Sequence, residues 1–210
     1  QASYDLTKSL LDQAEIKYFG IEAKQCFIES DDARIALHGY CSYNTNPQKM
    51  TLDGNIGINA LDIDWVRSVM AQNDADGFLN IVSMHSGQEH IHFPSVDDIE
   101  LARGLAEKMP YVYYGHHPHV IQGIEQKNDA LLAYSLGNFC FSDVYTSKSD
   151  KPLVVQSEAN KTGLILSVEV VDNKVVDYKP VPIFMGDDKM LLGEESLKSA
   201  GVSLDLLGYN

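Results

Sequence analysis

Cysteine is scarce in this 210-residue chain: Cys26, Cys41 and Cys140 are three, an odd number, widely spaced and without a Cys-x-x-Cys pair. That argues against a disulfide framework and against a thiolate zinc site, and the apolar stretch around each predicts buried free thiols. Positive charge is also in deficit, with 16 Lys and Arg against 30 Asp and Glu and a formal net charge of −14. A surface this acidic repels phosphate backbones, so no nucleic acid is expected as a partner. An anionic substrate is admitted only where a local metal reverses the field. Long apolar runs are missing: no stretch is long enough to span a membrane as a helix, and no signal-peptide pattern is present. There is no low-complexity segment and no internal repeat. With 44% hydrophobic residues over 210 positions, the composition is globular and long enough to bury a core.

What is present reads as an α/β pattern. Apolar positions Leu6, Leu10, Leu11 and Ala14 predict a helix over 4–14. Short strands are expected at 17–22 and 25–29, and a buried one at 34–41 (RIALHGYC). The polar stretch 42–59 reads as a loop. A helix at 62–72 and a strand at 77–84 follow. Ser95 is the expected N-cap of the next helix, with Asp98 in the acidic position of a capping box. Strands are expected at 111–114, 120–125 and 131–135, a hairpin at 163–171 and 174–183 around Asp172-Asn173, and a short helix at 194–200. The polar stretch 142–161 reads as a second loop. Helices and strands alternate first and strands dominate later, so the second half is expected to be largely antiparallel.

Six of the seven histidines fall between His85 and His119. His85 ends an apolar strand, and Gly115-His116-His117-Pro118-His119 also follows a strand end. In α/β sheets, sites collect at strand ends, so the two clusters can meet in one crevice. Pro118 stiffens the turn between His117 and His119, and neutral imidazole is a good ligand for divalent transition metals. His90 and His92 alternate in an extended pattern that puts both on one face, either lining the cleft or, the simpler reading, on a solvated strand face. Glu89, four residues after His85, reads equally as a surface carboxylate or as a group that supports a ligand histidine or meets substrate. Asn138 follows Gly137 in a turn that either presents its amide to the cleft or simply packs Phe139 and Phe141 into the core. A hydrolytic two-metal site also needs carboxylates, and no acidic residue stands in a strand-end Asp-x-His or Gly-Asp arrangement.

Taken together, His85-Ser86-Gly87-Gln88-Glu89, Pro94-Ser95 and a helix, Gly115-His116-His117-Pro118-His119-Val120, and Tyr134-Ser135-Leu136-Gly137-Asn138-Phe139 resemble the bacterial capsule-synthesis CapA family in order and spacing. Ser86 stands where that family commonly has Trp. The resemblance spans 6–184 and implies a calcineurin-like metallophosphoesterase fold, a β-sandwich flanked by helices. It implies two divalent metal ions (Mn, Zn or Fe) in the complete domain, with His85 and His117 on one and His119 on the other. His116 and Glu89 become the catalytic candidates, His116 facing substrate or structural, and Asn138 and Ser135 the substrate-binding candidates. The family's earlier motifs are not found, so 1–210 is expected to be one such domain truncated at its N-terminus. The implied role is in making or exporting poly-γ-glutamate-type capsule polymer at the cell envelope or extracellular face. Hydrolysis of a phosphoester or a polyglutamate amide is one reading. A non-catalytic module that holds polymer or a partner within a membrane-bound capsule complex is the other.

Overall fold

The computed structural model describes residues 2–42, 45, 50–51, 57–186 and 189–193. The helix expected at 194–200 lies outside the described residues, as does much of 42–59.

The chain begins with α1 (Ala2–Gln13), a surface helix with no buried residue. It is tied down by Glu22, which accepts from Tyr4 Oη at 2.8 Å and from Lys8 Nζ at 2.6 Å. β1 (Cys26–Glu29) and β2 (Arg34–Cys41) form an antiparallel pair. β3 (Met50–Thr51) and β4 (Ile58–Asn59) are a short parallel pair inside the stretch read as loop. Next come α2 (Ile63–Ala75), β5 (Leu79–His85), α3 (Val96–Ala106) and β6 (Tyr111–His116). The remainder is strand: β7 (Ile124–Lys127), β8 (Ala130–Ala133), β9 (Val144–Thr146), β10 (Ser149–Val154), β11 (Thr162–Val171), β12 (Lys174–Met185) and β13 (Met190–Leu192).

Local chemistry sets these boundaries. Asp62 caps α2 by accepting from Trp65 N, and Ser95 caps α3 by accepting from Asp98 N, each satisfying a backbone donor left over at a helix start. Asp172 and Asn173 both take positive φ, 51° and 59°, as a tight two-residue hairpin between twisted strands requires.

Six strands form the central sheet in the order β1-β2-β5-β6-β8-β7. The inner strands β2, β5, β6 and β8 run parallel, and β1 and β7 close the edges antiparallel. On one face, Val82, Met84, Tyr111 and Tyr113 pack under Val66 and Met70 of α2 and Ala102 and Leu105 of α3. On the other, Leu79, Val112 and Leu131 pack against Leu164 and its partly buried neighbours Leu166, Val168 and Val175 from the β11-β12-β13 sheet. The layers are therefore helices, six-stranded sheet and three-stranded sheet: a mixed α/β sandwich of two sheets with α2 and α3 on one outer face. Inner parallel strands covered on both faces explain why β2 and β5 read as apolar runs.

Four expectations are corrected. Residues 17–22 are not a strand: only an isolated bridge joins Ile21 to Ile58, and Lys24 N returns to Ile21 O at 2.7 Å in a turn. The strand expected at 120–125 begins only at Ile124. The stretch 142–161 holds the β9-β10 ribbon, largely exposed and so without the alternation that would betray it. Cys26 and Cys41 are buried thiols, but Cys140 is exposed.

Candidate metal centre

Because β2, β5 and β6 are parallel and adjacent, their C-terminal ends lie side by side. Cys41, His85 and His116 fall in one row of the register. Val82 and Met84 enter the helix-side core, so alternation sends Ser83 and His85 to the opposite face. His116 fits between them: its Nε2 lies 3.0 Å from Ser83 Oγ and its Nδ1 2.9 Å from His85 Nδ1. Burial, reinforced by the neighbouring histidines, pushes His116 down to about 4, and the same causes lower His85. Both rings are therefore neutral at physiological pH, the form that binds metal. They line a groove of about 270 Å³ together with Phe19, Gly39, Cys41 and Ile58.

Beyond β6 the backbone is tightly constrained. A Cβ on Gly115 would lie 1.8 Å from Tyr134 O, so only glycine allows β8 to pass there. His117 and His119 then take φ of 102° and 58°, in the left-handed region that a residue with a Cβ avoids. Such backbone costs about 1–3 kcal/mol per residue and persists where surrounding contacts enforce it. One contact is visible: His90 N donates to Pro118 O at 2.7 Å, tying the loop after β5 to the loop after β6. Positive φ at Gly87 and His90 reverses the first loop.

That reversal carries Glu89 onto the second loop. The donor atoms of Glu89, His117 and His119 all lie within 4.8 Å of one another. An ion bonded to each at about 2.1 Å would hold its donors roughly 3.4–4 Å apart, so this set needs only a small contraction. One carboxylate with two imidazoles suits zinc, manganese or iron. Burial lowers His117, and the Glu89 carboxylate opposes that effect.

His85 stands beside this donor set, its ring centroid 4.7 Å from that of His117. Asn138 is 7% exposed and accepts from His119 Nδ1 at 2.8 Å, while its own Nδ2 donates to the carbonyls of His119 and Asn160. Those two donor bonds fix which end of the amide is oxygen. His119 therefore carries its proton on Nδ1 and offers the Nε2 lone pair. The Phe141 ring lies 4.9 Å from that of His119 and walls one side.

Not every candidate meets at this centre. Ser135 is fully buried, and its hydroxyl donates to Val120 O and accepts from Gly137 N, so it holds the turn and is closed to substrate. His90 and His92 are not in a strand; His92 lies apart, its Nδ1 3.3 Å from Ile121 O, whereas the His90 ring stands 6.4 Å from that of His119 at the edge of the centre. Two supporting residues gave no signal in the sequence. Asp98, read only as a helix-cap residue, also accepts from Ser86 Oγ at 2.7 Å and so anchors the residue after His85. Asn160 comes from the stretch read as a plain loop.

A family model described as "Bacterial capsule synthesis protein PGA_cap" matches residues 2–143. The chain is similar to the PGA biosynthesis protein CapA of Bacillus subtilis (strain 168), at 35% identity over 104 residues, 49% of this chain and 27% of that protein. It is similar to the capsule biosynthesis protein CapA of Bacillus anthracis, at 32% identity over 111 residues, 53% of this chain and 26% of that protein. The match thus spans about a quarter of these relatives' length. Among solved structures, the sulfate thiohydrolase SoxB of Thermus thermophilus aligns with a TM-score of 0.49 at 11% identity, covering 84% of this chain and 28% of that one. A putative 5'-nucleotidase of Staphylococcus aureus aligns with a TM-score of 0.46 at 11% identity, over 84% and 32%.

Proposed function

The chain belongs to the bacterial capsule synthesis protein family PGA_cap, and from that premise we propose that it is the histidine-bearing part of a metal-dependent hydrolase acting in capsule biosynthesis. The observation that carries this reading is the convergence of Glu89, His117 and His119, beside the His85–His116 pair, at the C-terminal ends of parallel strands. A carboxylate and two neutral imidazoles are a donor set for a divalent metal, and a second ion next to His85 fits the two-ion reading of the family. Such ions supply Lewis acidity and an activated water at neutral pH.

The chain's own residues prepare that chemistry. Asn138 holds His119 in the tautomer whose lone pair is free. Glu89 brings negative charge that offsets a cation and orients it. The His85–His116 pair holds one proton between two Nδ1 atoms, with Ser83 fixing the far side of His116. His85 is thus positioned to hold or pass a proton at the edge of the groove. The scissile bond we propose is a phosphoester or an amide of an anionic poly-γ-glutamate-type polymer. The chain's strong negative charge makes a cation at this site the natural means of admitting such a substrate. By family, the setting we propose is the cell envelope, in a capsule-synthesis complex. Among the described residues no helix is long and apolar enough to cross a membrane.

The 210-residue chain alone is expected to bind metal weakly and to turn over neither substrate, so the test is a Mn²⁺ titration of the full-length protein followed by turnover of a model phosphodiester and of poly-γ-glutamate. Metal binding with turnover of either substrate is expected. Binding without turnover of either would leave a module that holds polymer without cutting it. Absence of metal binding would sink the hydrolase reading.

A further inference from the structure

We infer that Asn160, which lies beyond the segment matched by the family model, is a positioning residue that sets the tautomers of two histidines around the metal centre. The inference rests on the metal reading above for its purpose, but its geometry stands independently. Asn160 is 6% exposed. Its Oδ1 accepts from Ser157 Oγ at 2.6 Å, and the other end of the amide faces the His119 carbonyl, an acceptor only, which identifies that end as the donor. That donor, Nδ2, reaches His119 O at 2.9 Å and His90 Nδ1 at 3.0 Å. Its backbone carbonyl accepts from Asn138 Nδ2 at 2.9 Å.

The consequences follow from counting donors and acceptors. His90 Nδ1 accepts a hydrogen bond from Asn160 Nδ2, so a neutral His90 carries its own proton on Nε2. That nitrogen lies 4.0 Å from Glu89 Oε2. Asn160 thereby turns His90 into an N–H donor facing the carboxylate of the donor set. On its other side Asn160 holds the backbone of His119 and, through Asn138, the orientation of the amide that receives the His119 Nδ1 proton. A single buried amide thus joins His90, beside Glu89, to the backbone of His119. Ligand-orienting contacts of this kind typically change metal affinity about 10–100-fold.

The experiment compares the wild-type chain with Asn160→Ala and Ser157→Ala by two measurements. The first is ¹⁵N NMR of the imidazole rings without metal. The second is Mn²⁺ affinity from the free-ion electron paramagnetic resonance signal. In the wild type, His90 is expected as the Nε2–H tautomer and His119 as the Nδ1–H tautomer. In Asn160→Ala, His90 is expected to become a tautomer mixture, and Mn²⁺ affinity to fall about 10–100-fold. Ser157→Ala keeps the amide but frees it to rotate, and is expected to move both readouts in the same direction by less. Wild-type tautomers in Asn160→Ala would overturn the inference, as would the opposite His90 tautomer in the wild type. Should the wild type bind no Mn²⁺, the metal reading fails while the metal-free spectra still decide the role of Asn160. Should Asn160→Ala not fold, Ser157→Ala and the wild-type spectra decide it.

Discussion

His85 and His116 face each other through like atoms, Nδ1 to Nδ1 at 2.9 Å. Two neutral rings can make that bond only if one carries its proton there and the other does not. They come from adjacent parallel strands and occupy paired positions in the register, so the sheet itself sets their separation. Replacing His116 by Ala removes the partner of both His85 Nδ1 and Ser83 Oγ. We expect a loss of about 2 kcal/mol in a urea unfolding titration, the cost of polar groups left without their bonds. Because His116 lies outside the Glu89–His117–His119 donor set, Mn²⁺ affinity should change far less than it does on substitution of His119.

Asn138→Ala should act the other way. The hydrogen bond from His119 Nδ1 is lost, and the ring becomes free to rotate or to place its proton on Nε2. Mn²⁺ affinity is expected to fall about 10–100-fold, measured by isothermal titration calorimetry. Unchanged affinity would mean that His119 does not bind metal through the nitrogen left free.

Gly115→Ala should be severely destabilising. The added Cβ would stand 1.8 Å from Tyr134 O, a backbone atom just past the end of β8, and no side-chain rotation relieves that clash. Leu136 N also donates to Gly115 O here, so the two segments cannot part without losing a bond. We expect more than about 3 kcal/mol of lost stability, or an insoluble product. Wild-type stability by chemical denaturation would contradict this local geometry.

His38 makes stability depend on pH. It is fully buried in β2, with Nε2 3.0 Å from Asn80 Oδ1 and Nδ1 3.2 Å from Tyr40 Oη. Burial pushes it from 6.5 down to about 4. The folded state therefore binds fewer protons than the unfolded state between these values, and stability falls as pH drops through that window. Between about pH 7.5 and pH 5 the loss from this residue alone is about 2 kcal/mol. A urea midpoint that declines with acid in the wild type, and declines less in His38→Gln, is the expected pair of curves. Equal slopes in both would assign the effect elsewhere.

Much of the fold was legible in the sequence because it is written in local patterns. The strand at 34–41 is legible because an inner parallel strand, covered on both faces, is mostly apolar along its length. The Ser95 cap and the Asp172-Asn173 turn were legible because each needs particular side chains at particular positions. The loop at 17–22 was misread because its apolar residues pack while its backbone bonds close turns, and periodicity cannot separate those cases. The β9-β10 ribbon was missed because a strand pair with little buried surface has no alternation to show.

The candidate site divides in the same way. The histidines stood out because they are rare and clustered. The carboxylate has no strand-end signature because Glu89 arrives on a loop turned back by positive φ at Gly87 and His90. Asn160 meets His90 across 70 residues of sequence, a separation at which no pattern survives. Ser135 was drawn toward the site by its neighbours in the motif, and its hydroxyl is spent on a main-chain carbonyl.

The long β11-β12 hairpin is fastened at both ends. At its base Leu164 N donates to Leu136 O, next to the Asn138 turn; at its tip Asn173 receives from Arg34 N at 2.6 Å and donates to Gly77 O. The hairpin therefore crosses the whole sheet as a strap, from the metal centre to the far ends of β2 and β5. Amide hydrogens at its base should exchange with solvent only in openings that also free the tip, which sets the turn beside His119 among the slow-exchanging parts of the molecule.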